Sequence, residues 1–489
     1  FASTVTSSIA TKADDAATTA ALATKANASD LVTLQTNIEV SGSSSNSQYY
    51  IVANKSYDSP DYPSSGGWPS MSHLANVGAI YLYDKEDLSA DPIILTNNGT
   101  TDPNNLYTGF DNPWGEQLGK SIHVTETHLF ASNGMDHSFS VPRLYVWDLS
   151  DLSAAPTVLT HPDWTSGSGV TGLGLAMEPE QIQTYGNNLF VSCHYQHKFY
   201  VYDISDLSQS PIVFDNPDTG NSYNFFGKSI QVDKDSKKLY VGAPNGTSGK
   251  FFVYDLENLQ TSPIEIVSPN SARGFGISLN YFENKLVVGD QDQTNPRYDS
   301  IYVYDTLNIN STPTQYVDTN TGYGNQGSQF GITNSSVHID SRGIVIGAPR
   351  HGPASFNPTA NEGAVFVIPM TDGVLGSMVQ LSDSGLGLGN NDWLGTNVSS
   401  QDGSIFASYQ GRNENDHSGI ATWSWDDLSA SPTKLDSIAE DIESHAAFVF
   451  NPVSTPKTIG EVVTDNTAAI AAEAVARTAA IAATDARTA

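Results

Sequence analysis

The sequence predicts a mainly β chain, a seven-bladed β-propeller inserted between two α-helical coiled-coil arms. Three observations predict it. A strand-and-turn pattern recurs seven times in the middle of the chain, nearly all glycine, proline and aromatic residues stand in that middle, and the two Ala-rich ends share one helical period.

Residues 1–40 make the first arm. Small or apolar residues stand at Val5, Ile9, Ala13, Ala16, Ala20, Ala23, Leu31, Leu34 and Ile38, with Asn27 as the polar exception. This is close to about 3.67 residues per turn, the eleven-residue period that favours a straight or slightly right-handed supercoil. A polar Asn in such a seam fixes register and oligomer number. Helices so poor in large apolar side chains are marginal alone, so the arms call for partner copies of the same chain. Residues 41–47 are Gly/Ser-rich and read as a linker.

Residues 48–452 carry the repeat. An aromatic or β-branched strand ends in Asp, a turn of Asp-Leu-Ser type follows, and Pro comes eight residues after the Asp. The pairs are Asp84 and Pro92, Asp148 and Pro156, Asp203 and Pro211, Asp255 and Pro263, and Asp305 and Pro313. A sixth copy at 365–369 keeps the strand and loses the turn, and a seventh runs through Ser424 to Pro432. Each unit adds two upstream strands, the first introduced by a Leu/Phe-Gly pair at Leu118, Phe226, Phe275, Phe330 or Leu394. The aspartates at the strand ends are expected to accept local backbone N–H bonds. Four short strands per unit of about 50 residues is the arithmetic of a propeller blade.

The first unit lacks a Leu/Phe-Gly strand, and one apolar segment, Ala446 to Phe450, is left over after the seventh. Phe448, Val449 and Phe450 are therefore expected to close the ring against 49–53, bringing chain entry and exit side by side. Residues 453–489 are a linker and the second arm, where Thr-Ala-Ala-Ile-Ala-Ala recurs after eleven residues and Ile470, Val475 and Ile481 supply the larger apolar positions.

The Phe-Gly and Gly-Ala-Pro strings, clearest in Phe226 to Pro244 and Phe330 to Pro349, resemble FG-GAP repeats, the family of the seven-bladed integrin α-chain head. The arms resemble stalks of viral tail fibres and of trimeric surface adhesins, through Ala-Thr-Lys-Ala at 10–13 and 23–26. The second resemblance implies a trimer.

Integrin-like blades carry calcium loops, and the nearest counterpart here is Asp233-Lys-Asp235. Lysines replace its later acidic position and it has no glycine, which suits a hard cation poorly. No resident metal or cofactor is expected, calcium being the one considered. His194 and His197 have metal-ligand spacing, but on a strand they would point to opposite faces. Cys193 reads as a packed small side chain. No catalytic residues stand out. Ligand contact is expected on long insertions, through Tyr57, Tyr62, Trp68, Trp114, Trp164, His351 and Phe356.

The balance of 22 Lys and Arg against 53 Asp and Glu, a net charge of −31, argues against nucleic acid or an anionic membrane as partner. A single cysteine excludes a disulfide scaffold, and no apolar run reaches about 18 residues, so no membrane span is expected. The chain reads as a segment of a longer or processed polypeptide. The expected role is a non-enzymatic extracellular fibre or filament protein, on a virion or cell surface, whose propeller adheres to glycans or a host-surface protein or makes lateral contacts. The alternatives are a polysaccharide-acting propeller enzyme on a stalk and an integrin-like protein-binding module.

Overall fold

The computed structural model describes residues 42–45, 48–54, 78–84, 92–96, 118–119, 121–133, 143–160, 182–218, 224–245, 248–291, 298–319, 327–352, 362–388, 392–401, 403–409 and 419–436. Contacts divide the chain into residues 1–451 and 452–489, and every described residue belongs to the first unit. The two arms lie outside the described residues. So do their expected seam positions Val5, Ile9, Asn27, Leu31, Leu34, Ile38, Ile470, Val475 and Ile481. Among the described residues there is no α-helix; the mainly β expectation holds there, and no helix is long and apolar enough to cross a membrane.

Seven antiparallel sheets follow one another along the chain. Blade 1 is β1 (Gly42–Ser45), β2 (Tyr49–Asn54), β3 (Ala79–Asp84) and β4 (Ile93–Leu95). Blade 2 is β5 (Ser121–Val124), β6 (His128–Ser132), β7 (Arg143–Asp148) and β8 (Thr157–Thr160). Blade 3 is β9 (Ile182–Tyr185), β10 (Asn188–Cys193), β11 (Lys198–Asp203) and β12 (Ile212–Asp215). Blade 4 is β13 (Ile230–Asp233), β14 (Lys238–Ala243), β15 (Lys250–Asp255) and β16 (Ile264–Val267). Blade 5 is β17 (Leu279–Phe282), β18 (Lys285–Asp290), β19 (Ser300–Asp305) and β20 (Thr314–Val317). Blade 6 is β21 (Val337–Asp340), β22 (Gly343–Ala348), β23 (Ala364–Thr371), β24 (Val374–Leu375) and β25 (Val379–Gln380). Blade 7 is β26 (Val398–Gln401), β27 (Ser404–Tyr409), β28 (Gly419–Ser424) and β29 (Thr433–Asp436). First strands of successive blades touch from β1 through β5, β9, β13, β17 and β21 to β26, which sets them along the inside of the propeller.

Blade 6 departs from the others where its sequence does. Without the Asp-Leu-Ser turn, β23 runs on through Pro369 and turns back at Asp372-Gly373, both at positive φ of 50° and 74°. That is the backbone of an Asp-Gly hairpin. In blades 1 to 5 and 7 the proline instead stands immediately before the outermost strand, where an edge tolerates the missing N–H.

The core lies between blades. Alternation along a strand sends neighbouring side chains to opposite junctions, so both faces must be apolar and the third strands read as continuous apolar runs. On β15, Phe252 and Tyr254 pack with Phe199, Phe214 and Phe226 toward blade 3. Phe251 and Val253 pack with Phe275, Tyr302 and Tyr304 toward blade 5. Ring geometry follows suit: Phe199 and Phe214 stack at 4.6 Å, and Phe251 meets Tyr304 edge-on at 5.5 Å.

The Leu/Phe-Gly pairs tie blade to blade. Phe226, Phe275 and Phe330 are fully buried. Gly276 has φ of +89°, and a Cβ there would strike the Lys250 carbonyl of the blade before it. That blade's Gly242 faces the Gly276 backbone so closely that its own Cβ would overlap the Gly276 carbonyl and the Ser229 hydroxyl. Ser229 Oγ donates to the Gly276 carbonyl at 2.8 Å, and Ser278 Oγ donates to that of Gly331 at 2.6 Å. Phe-Gly, the serine two positions on and the glycine of the second strand thus form one latch.

Two expectations are corrected at the start of the ring. The Gly/Ser segment 41–47 is not a simple linker, because Gly42–Ser45 pairs antiparallel with β2, Ser43 opposite Val52. With β3 on its other side, β2 has no edge left for Phe448, Val449 and Phe450, which themselves lie outside the described residues. An inner strand is held by backbone bonds to its neighbour, and Ser and Gly supply those as well as apolar residues do. The chain therefore enters at the innermost strand of blade 1 and leaves blade 7 at its outermost, β29. Residues 437–451 lie outside the described residues, and with them the expected juxtaposition of entry and exit.

The turn aspartates carry a pH dependence. Asp148 accepts the Ser150 hydroxyl at 2.6 Å and backbone N–H at 2.9 Å; Asp203 holds Ser205 in the same way. Such bonds favour the ionised carboxylate and hold Asp148, Asp151, Asp206 and Asp427 below the ordinary 3.8. A depressed folded-state value stabilises the fold above the unfolded pKa and loses that contribution as pH falls through the folded one. Thermal unfolding followed from about pH 5 down to about pH 3 will show falling stability. A chain with Asp148, Asp206 and Asp427 all changed to Asn will show a shallower acid slope.

Candidate functional site

In an antiparallel blade the connections alternate between two rims. Turns joining first to second and third to fourth strands share one rim here, and among the described residues they are short: Gly186-Asn187, Glu283-Asn284, the Asp-capped turns after β7, β11, β15 and β19, and the Ser424-capped turn after β28. Connections from second to third strand and from blade to blade share the opposite rim. These vary widely, from 194–197 to 55–78 and 96–120. A rim of tight turns offers little to vary, and a rim of long connections on a rigid scaffold is where recognition resides.

All seven expected ligand contacts belong to connections of that second rim. Tyr57, Tyr62 and Trp68 fall between β2 and β3, Trp114 between β4 and β5, Trp164 between β8 and β9, and His351 and Phe356 between β22 and β23. Of these only His351 is among the described residues. The sequence marks these insertions by their length; that they share one rim follows from strand order.

Around His351 the structure gathers groups from blades 5, 6 and 7. The His351 ring sits edge-on to Phe366 at 5.4 Å, and its Nδ1 lies 2.9 Å from Asp318 Oδ2. With a buried carboxylate as partner, Nδ1 is the protonated nitrogen. The Asp318 backbone N–H donates to the carbonyl of Asp299, at 3.0 Å. Asp299 is fully buried and accepts the Gln329 backbone N–H at 2.7 Å. Next to His351, the Arg350 guanidinium lies 5.9 Å from the centre of the Trp393 ring, a cation–π pair. An oriented imidazole beside a guanidinium–indole stack can hydrogen-bond hydroxyl or carboxylate groups and pack against the face of a sugar ring. Asp299, Asp318 and Trp393 were not legible as site residues, since they come from separate connections and no local motif links them.

Asp233 and Asp235, the nearest counterpart of a calcium loop, are engaged by protein groups. Asp233 is fully buried; it accepts the Ser236 backbone N–H at 2.8 Å and the Tyr240 hydroxyl at 3.3 Å. Asp235 accepts the Tyr281 hydroxyl at 3.4 Å. Burial, then these carboxylates, push both tyrosines well above their usual range. Among the described residues no three His, Cys, Asp or Glu side chains are placed to hold a metal ion.

His194 and His197 do not lie on a strand as expected. His194 opens a single 3₁₀ turn, His194–Gln196, and His197 follows it in the left-handed region, so both rings reach one side chain. Phe225 meets His194 edge-on at 5.7 Å and stacks on His197 at 6.1 Å. Cys193 is buried, packed with Leu189, Val191 and Tyr200, as its reading as a small packed side chain expects.

No protein-family model matches the sequence, and no curated protein matches it. Solved structures do resemble the fold. A structure from an analysis of two prolyl endopeptidases is similar at 11% identity and a TM-score of 0.48, over 88% of this chain and 55% of its own. A protein assigned as a 6-phosphogluconolactonase from Bacteroides uniformis is similar at 9% identity and 0.44, over 82% of this chain and 98% of its own. The β-propeller domain of the trilobed protease from Pyrococcus furiosus is similar at 12% identity and 0.37, over 63% and 82%. This chain spans about half the length of the prolyl endopeptidase it resembles. At these identities the likeness is one of fold: the chain is a β-propeller. The expectation that it is not an enzyme is corrected, because propeller enzymes stand among the structures it resembles.

Proposed function

We propose that the chain is an extracellular fibre or filament protein whose propeller is a recognition disc, presented in several copies by self-association of the arms. The observation that supports it is the asymmetry of the rims. By strand order the long insertions, with the aromatic residues their sequence carries, belong to connections of one rim, and among the described residues the turns of the other rim are short. An acidic disc discourages nonspecific sticking and leaves binding to those connections. The ligand class that fits Trp, Tyr, Arg and His on such a rim is carbohydrate on a host or neighbouring surface.

The test is binding of the whole chain to an array of immobilised glycans, with the released material analysed for cleavage. Retention of one sugar class supports the proposal. Cleavage products would place a polysaccharide-acting enzyme on the same rim. Absence of binding to every glycan, with binding to a surface protein instead, would replace this reading with the protein-binding one.

A further inference from the structure

In blades 4 and 7 the residue before the Leu/Phe-Gly pair is aromatic and left-handed, Phe225 at φ of +51° and Trp393 at +47°. In blade 6 the same position, Gln329, is left-handed as well, at +59°. The backbone conformation therefore belongs to the latch, and the aromatic side chain does not. A ring is strained there, since glycine or asparagine meets the same backbone demand more easily. Strain of this kind gathers at ligand clamps. Each ring meets the connection that leaves the second strand of the blade before it, Trp393 against Arg350 and Phe225 against His194 and His197. The junction of blades 3 and 4 thus repeats the plan of the junction of blades 6 and 7.

The junction of blades 3 and 4 is braced from behind. Gly227, at φ of +89°, comes so close to blade 3 that a Cβ on it would lie 2.9 Å from the Lys198 carbonyl oxygen. That approach brings Phe225 onto the turn at 194–197. His197 is itself left-handed, at +57°, and its carbonyl accepts the Asn216 backbone N–H at 3.0 Å. Asn216 stands where blade 5 has Asp318, each bonding the residue before the third strand of its own blade. The side-chain amides of Asn216 and the fully buried Asn224 exchange hydrogen bonds at 3.0 and 3.2 Å. Asn224 Oδ1 also accepts the Phe226 backbone N–H at 3.2 Å. This amide pair clamps the segment carrying His197 to the segment carrying Phe225. His194 is buried, whereas Phe225 and His197 are half-buried.

The two junctions differ in charge. Arg350 brings a guanidinium to one. The phenyl ring and the amides of the other carry none, and burial holds the His197 imidazole below its ordinary 6.5, so it is neutral at pH 7. The neighbouring Asp218 carboxylate is matched by the Lys250 ammonium at 2.8 Å.

We propose that Phe225 and His197, positioned by the Asn216–Asn224 pair, form a second carbohydrate subsite on the rim of long connections, one that takes an uncharged sugar ring. It rests on the recognition role proposed for that rim. The less polar face of the sugar stacks on Phe225, and the His197 imidazole exchanges hydrogen bonds with its hydroxyl groups.

The test is binding of the whole chain to surfaces bearing oligomers of galactose, mannose or N-acetylglucosamine, beside one bearing N-acetylneuraminic acid. The parent is expected to bind at least one uncharged oligomer, and Phe225→Asn to weaken that binding about tenfold through loss of the stacked ring. Asparagine keeps the left-handed backbone, so the thermal midpoint should stay within about 4 °C of the parent. Unchanged binding to the uncharged oligomer overturns the inference. A parent that binds only N-acetylneuraminic acid also overturns it and leaves the recognition role of the rim standing. A parent that binds no glycan removes both. If the midpoint falls further, or Phe225→Asn fails to fold, His197→Asn decides by the same binding ratio.

Discussion

Gly242→Ala will destabilise the propeller by about 3 kcal/mol or more, a large share of a typical domain's stability. The new methyl group has no direction in which to relax. It would overlap the Gly276 carbonyl, which belongs to backbone fixed at φ of +89°, and the Ser229 hydroxyl that bonds the same carbonyl. Either blades 4 and 5 move apart, or the Phe275 ring leaves its buried seat against Phe251 and Tyr302. Ser229→Ala removes only the hydrogen bond and will cost about 1 kcal/mol. The double variant will lose less than the sum of the two, because the alanine methyl has already displaced the carbonyl that the serine serves. Chemical unfolding monitored by tyrosine and tryptophan fluorescence gives all three values. A Gly242→Ala chain as stable as the parent would remove the latch from the account.

Leu31→Asp with Leu34→Asp will convert the assembled chain to monomers while leaving the propeller folded. The proposed arms have few large apolar residues, so two buried charges at adjacent seam positions exceed what the remaining alanines contribute. Sedimentation velocity should show a species near three times the chain mass of 52.3 kDa for the parent and one chain for the variant. Far-ultraviolet and near-ultraviolet dichroism should retain the β and aromatic signals. Multivalent binding to a glycan surface should fall by about 10²-fold or more, since linked discs bind through effective concentration. A monomeric parent chain would remove self-association from the proposed function.

Much of the propeller was legible in the sequence because its blades solve one packing problem repeatedly. Third strands such as Phe251 to Asp255 show two apolar faces at once, the prolines mark the outer edges, and Phe226, Phe275 and Phe330 announce each new blade. The innermost strand of blade 1 was not legible. Its Gly42 to Ser45 has the composition of a linker, and only the backbone pairing with Tyr50 to Ala53 makes it a strand. The apolar Phe448 to Phe450 drew the opposite inference for the same reason, since hydrophobicity was read as the qualification for an inner strand.

The candidate site was legible in part. Insert length pointed to His351 and to the aromatic connections, because long loops on a regular scaffold stand out in a repeat. Asp299, Asp318 and Trp393 gave no such signal: each occupies a position where other blades carry Gly249, Ser268 or Phe225, and only the strand order brings them to one rim. His194 and His197 misled through secondary structure, as a single 3₁₀ turn reverses the facing argument that holds on a strand.

The claim that recognition belongs to one rim is tested most directly by hydrogen exchange of the whole chain with and without its tightest-binding glycan from the array. Slowed exchange is expected in peptides covering 55–77, 97–117, 161–181 and 349–363, with unchanged exchange in the turns that follow β7, β11, β15 and β28. Slowed exchange in those short turns, with the long connections unaffected, would contradict it.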